Sequence, residues 1–193
     1  GIALLMLSVA LFAACRSSKN SQKNKRIHSQ TTVTNKSSRN QNNLVNNNYV
    51  AGDKKFYETY SKKFGVNFKG NENKWMIEEI DAWLGTPYKY GGSSRSGTDC
   101  SGFIMTVYKK VNNIDLNRSA YDQMQNTRLL DKNAMQFGDL VFFKIDFKKV
   151  SHVGLYLGDN KFVHASTKRG VVINNLDENY YKERFFKGGK IIK

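Results

Sequence analysis

Residues Gly97–Val111 read GTDCSGFIMTVYKKV. Phe103, Val107 and Val111 recur at helical spacing, with Ile104 and Tyr108 widening the same face, so this stretch predicts an amphipathic helix. Asp99 stands at the N-cap position, which puts Cys100 in the first helical turn. Downstream the hydrophobic period changes. GDLVFFKI, VSHVGLYLG, KFVHAS and GVVINN are short β-rich runs separated by Gly, Asn, Asp and Lys turns. Helices first and a meander of strands afterwards predict an α+β domain with an antiparallel sheet.

Upstream, NENKWMIEEIDAWLG predicts a helix whose apolar stripe is Trp75 or Met76, Ile80, Trp83 and Leu84, ended by Gly85. DKKFYETYSKKFG spaces Phe56, Tyr60 and Phe64 by four and predicts a shorter amphipathic helix, within a linking segment 51–73. The folded region then runs over 74–193.

The chain has 193 residues, 39% of them hydrophobic, with 12 Phe and 10 Tyr, enough for one core. Its net charge is +15, and the first 73 residues carry 12 basic against 3 acidic side chains. Such a balance suits anionic partners. No zinc-finger spacing, RNA-binding aromatic signature or basic block with interleaved aromatics accompanies it, so no nucleic-acid partner is expected.

At the front, GIALLMLSVALFAAC is an uncharged apolar run too short to span a bilayer comfortably. Ala13 and Ala14 precede Cys15, and a polar segment follows at once, the form of a signal core with its cleavage region. From Arg16 to about Val50 the chain is Ser, Asn, Gln, Thr, Lys and Arg, a composition expected to form a disordered tether, and His28 lies within it.

Cys100 is one of two cysteines. A free thiol is only a few per cent thiolate at neutral pH, and the partial positive charge of a helix start favours the thiolate. An imidazole completes the activation and later protonates the leaving amine. With His28 in the tether, His152 and His164 remain, on two strands one hairpin apart. Neighbouring antiparallel strands can set them side by side, the second fixing the tautomer of the first. Arg, the residue a phosphatase loop needs six positions after its cysteine, is Thr106 here.

GTPYKYGGSSRSGTDCSGF, FGDLVFF, SHVGLYLGDNKFVHAS and the closing YYKERFFKGGKII resemble the NlpC-type papain-like cysteine peptidases that cut bacterial cell-wall peptides. The resemblance runs from about Trp75 to the C-terminus. It implies a papain-like fold with N-terminal helices packed on a central antiparallel sheet. It also implies that Cys100 is the nucleophile, His152 the general base and His164 the orienting residue. Tyr88 matches a tyrosine that lines the site and helps stabilise the oxyanion, and Asp99 and Ser101 match substrate-binding positions. No metal and no cofactor are implied. Phe137 stands where the family commonly has Pro, and Arg118, Ser119 and Gln123 keep only part of an R-x-S…Q pattern.

The front end similarly resembles a bacterial lipoprotein signal over residues 1–15, with Cys15 as the lipidated residue and Phe12 where Leu is usual. Together these resemblances imply an exported, monomeric murein endopeptidase, lipid-anchored to a bacterial membrane (the outer membrane, facing the periplasm). Its substrate would be a stem-peptide or cross-link amide next to a D-amino acid, with Lys89, Arg95 or Lys109 as candidates to meet stem-peptide carboxylates. Two alternatives are an amidase or acyltransferase with the same Cys-His machinery, and a non-catalytic wall-binding lipoprotein.

Overall fold

The structure is a computed structural model and describes residues 52–192. Cys15, the apolar run 1–15 and the tether with His28 lie outside the described residues. Among those described, no helix is long and apolar enough to cross a membrane.

Helix α1 covers residues 52–64. Phe56, Tyr60 and Phe64 stack along it with ring centroids 4.7 and 5.6 Å apart, and the series continues through Phe68 to Phe137. The aromatic at 137 thus gives the N-terminal segment a partner ring, edge-on at 5.6 Å. Phe64, Val66 and Phe68 belong to the main core, so this segment is part of the domain's packing.

Helix α2 (Lys74–Trp83) is capped by the Asn73 side chain on the Met76 amide. Met76, Ile77, Ile80 and Trp83 face the core, whereas Trp75 is 78% exposed. At 100° per residue Met76 lies about 40° from Ile80 and Trp75 about 140°, so the stripe chooses Met76. Gly85, at φ +81°, turns the chain away in the left-handed region.

A two-stranded ribbon follows, β1 (Ser93–Ser94) with β2 (Gly97–Thr98). Helix α3 (Cys100–Asn112) buries Phe103, Ile104 and Val107 completely against the sheet. Short helix α4 (Ala120–Gln125) leads to β3 (Thr127–Leu130). A 3-10 turn (Lys132–Ala134) precedes the remaining elements, β4 (Leu140–Phe143), β5 (His152–Gly158), β6 (Lys161–Ser166), β7 (Gly170–Asn175), α5 (Asn179–Arg184) and β8 (Phe185–Ile191).

The six-stranded sheet is antiparallel in the order β3-β8-β4-β5-β6-β7, and the fold is α+β. Only β4 to β7 form the expected meander. The closing strand β8 inserts between β3 and β4, a non-local pairing that local periodicity does not encode. Both sheet faces are covered: Leu140 and Phe142 join the main core, while Val141 and Phe143 join a second cluster with Phe162 and Tyr181. That is why LVFF is a continuous apolar run.

Candidate active site

Asp99 caps α3, its Oδ1 accepting from the Gly102 amide at 2.8 Å and its Oδ2 from the Gly91 amide at 2.9 Å. These bonds draw the loop around Gly91 onto the first turn of the helix. Gly102 makes the approach possible, since a Cβ there would lie 2.1 Å from the Gly92 carbonyl oxygen. Arg118 closes the cluster: Nη1 donates to Asp99 Oδ1 at 3.0 Å and Nη2 to Oδ2 at 2.6 Å. Nη1 also donates to Ser101 Oγ at 2.9 Å. Burial opposes the Asp99 charge, but Arg118 and the two amides together hold its carboxyl below the usual range.

Cys100, the first residue of α3, is 9% exposed at the floor of a groove of about 500 Å³. Tyr88, Asp99, Ser101, Arg118 and Lys149 also line it, and Ser151, next to His152, borders it. A larger cavity of about 700 Å³ lies among Met76, Tyr108, Phe137 and Tyr156 and contains none of the candidate residues. Arg95 is engaged with Glu79 and Lys109 with Asp115, and neither they nor Lys89 reach the groove. Its cations are Arg118 and Lys149.

Burial pushes the Cys100 thiol up, and the Asp99 charge adds to this. The backbone amides of Val153, Ser101 and Cys100 pull the other way and lose. The helix start alone was expected to favour the thiolate, but desolvation outweighs it and raises the thiol. The Val153 amide follows His152 directly, so the thiol meets β5 where that histidine begins it.

His152 Nε2 and His164 Nδ1 are 2.8 Å apart, with the rings nearly perpendicular. The β5–β6 register, Leu155 opposite Val163, makes the two histidines diagonal neighbours on one face. Asp159 and Asn160, at φ +48° and +58°, form the turn, and an irregularity between Tyr156 and Gly158 shifts the pairing by one residue into this register, which puts both histidines on one face. Gly154 lies beside His164, where a Cβ would be 3.3 Å from the His164 Cβ and 2.8 Å from Phe162 Cδ2. Burial holds both imidazoles well below the ordinary histidine value; His164 adds to the shift of His152, and the Arg169 charge adds to that of His164. Both are neutral at pH 7.

Beyond His164 stand residues the sequence reading did not reach. Asn174 Oδ1 and the Tyr181 hydroxyl are each 3.1 Å from its Nε2. Asn174 sits on β7 diagonal to His164, a position that the alternation of GVVINN marks only once the hairpin register is known. Tyr88, half-buried, has its phenol pushed up by burial and by nearby Cys100 and Asp99, so its hydroxyl remains a donor.

Residues 85–190, more than half of the chain, match the NlpC/P60 family. Among curated proteins, the "Probable endopeptidase NlpC homolog" of Haemophilus influenzae is 39% identical over 120 residues, covering 62% of this chain and 63% of its own. The "Murein DD-endopeptidase MepS/Murein LD-carboxypeptidase" of Escherichia coli is 35% identical over 117 residues, covering 61% and 62%. Each alignment thus spans less than two thirds of the relative. Among solved structures, an NlpC/P60 family protein from Bacillus cereus superposes with a TM-score of 0.57 at 35% identity, over 61% of this chain and 39% of that one.

Proposed function

This chain belongs to the NlpC/P60 family, and from that premise we propose that it is a cysteine peptidase, a peptidoglycan endopeptidase. The observation carrying this reading is a buried thiol at the start of α3 that meets the Val153 amide directly after His152, with His152 held 2.8 Å from His164 on the next strand. The Escherichia coli relative named as a murein endopeptidase supplies the substrate class.

In the proposed reaction His152, with Nε2 turned to His164, takes the Cys100 proton on Nδ1 as the sulfur attacks the amide carbonyl. The Cys100 amide and the Tyr88 hydroxyl donate to the developing oxyanion. Breaking the C–N bond transfers the proton from His152 to the leaving amine and leaves a thioester on Cys100. Water, deprotonated by His152, then releases the acid and restores the thiol.

Asp99 and Ser101 stand in the groove as substrate-binding candidates, but Arg118 already engages both. Their part is to shape the wall that Arg118 closes. The scissile bond is proposed to be an amide next to a D-amino acid, D-Glu-γ-diaminopimelate or D-Ala-diaminopimelate. Anchoring through a lipidated Cys15, with the following segment as a tether, would hold the enzyme at a bacterial membrane within reach of the wall.

The test is incubation of the full chain with purified muropeptides and identification of products by mass. New amine and acid termini are expected. Cys100→Ala and His152→Ala should lower turnover at least about a thousandfold. Equal activity from Cys100→Ala would refute the reading. The anchor is tested separately, by an acyl mass on Cys15 in membrane fractions.

A further inference from the structure

His152 can act as a base only if its proton sits on Nε2 and Nδ1 is bare, and the determinant of that choice lies two layers away. An Asn amide has one donor end and one acceptor end. The Nδ2 of Asn174 lies 2.9 and 2.8 Å from the two oxygens of Glu178, which only accept. Its Oδ1 lies 2.8 Å from Arg169 Nη2, which only donates. Both ends of this buried amide are thereby fixed, with Oδ1 facing His164 Nε2 at 3.1 Å. That nitrogen must carry the His164 proton. The neutral ring then has its lone pair on Nδ1, so His152 Nε2, 2.8 Å away, must donate, and His152 Nδ1 is left bare.

We propose that Asn174, clamped between Glu178 and Arg169, is the positioning residue that fixes the proton of His152 on Nε2. Glu178 stands at the N-cap position of α5 and Arg169 lies in the β6–β7 turn, so the last helix and this hairpin jointly set the base. The Tyr181 hydroxyl, supplied with a donor by Arg169, stands beside the same His164 N–H without being needed to orient it. The proposal rests on the reading of His152 as general base, but its readout needs no turnover.

The experiment is a long-range proton–nitrogen spectrum of the nitrogen-15-labelled full chain at pH 7. Both His152 and His164 should be neutral and protonated on Nε2, and a proton on His152 Nδ1 overturns the proposal. In Asn174→Leu, His152 should show mixed tautomers, and kcat should fall about 10–100-fold with KM changed less than about twofold. A fall in kcat with a single unchanged tautomer would make Asn174 merely structural and overturn the proposal. Asn174→Asp combined with Glu178→Gln keeps an acceptor toward His164 and Arg169 and returns the amide donor from position 178. This pair should restore the single tautomer, and failure to do so counts against the proposal even where Asn174→Leu does not fold. Tyr181→Phe should leave the tautomer unchanged; its loss would make the hydroxyl the director instead. The expected tautomers in a protein that cleaves no muropeptide would uphold this relay while sinking the endopeptidase reading.

Discussion

Gly154 contributes to the site by what it lacks. A methyl group there would press on Phe162 and on the Val163 carbonyl at 2.8 and 2.9 Å, and on His164 at 3.3 Å. Gly154→Ala is expected to cost about 1–3 kcal/mol in denaturant unfolding, because strand backbone and a packed ring must both shift. Activity should fall further than stability explains at temperatures where the variant is fully folded, since the His164 Cβ must give way together with the Phe162 ring. An unchanged midpoint would mean that the hairpin yields freely. At this scale the cysteine and both histidines were legible in the sequence as candidates, because thiol and imidazole are chemically rare groups set here in recognisable contexts. Gly154, Asn174 and Glu178 were not. Their roles depend on which atoms stand opposite them, and a glycine or an asparagine in a strand has many ordinary explanations.

Helix α3 was readable from its periodicity, and the Asp99 cap from residue type alone, because both depend on neighbours within a few positions. What the cap residue also does was not readable. Asp99 accepts from the Gly91 and Gly102 amides and from both terminal nitrogens of Arg118, so it joins three segments around the thiol. Asp99→Asn retains a cap oxygen and loses the charge; Asp99→Ala loses both. The expected order of destabilisation is Ala above Asn, about 2–4 against about 1–2 kcal/mol, measured by urea unfolding. Equal losses would show that the ion pair with half-exposed Arg118 contributes the whole effect. The β5–β6 hairpin shows the same division. Its strands were predicted from alternation, while the turn at Asp159 and Asn160 together with the register shift between Tyr156 and Gly158 decides that His152 meets His164 diagonally.

Across the whole molecule, two buried imidazoles held neutral make folding sensitive to acid. Their folded pKa values lie below the unfolded value of about 6.5, so the unfolded chain binds protons that the folded chain refuses. This contribution is complete above about pH 6.5 and is lost as pH falls toward the depressed folded values. The urea midpoint should therefore decline between about pH 6.5 and 4, and His164→Gln should show a shallower decline over that interval. The same slope in both proteins would locate the acid sensitivity elsewhere. By itself the sequence determined the α+β class, the four-strand meander, the helix that presents Cys100 and the residue types of the candidate chemistry. Each follows from side-chain period, capping or functional-group scarcity, which act over a few residues. Tertiary structure alone decided that β8 closes the sheet between β3 and β4, that Arg118 rather than Arg95 or Lys109 borders the groove, and that Asn174 stands behind His164. It also decided that burial raises the thiol against the pull of the helix start. Those outcomes depend on pairings distant in the chain and on desolvation, which exist only once the whole sheet and its covering helices have assembled.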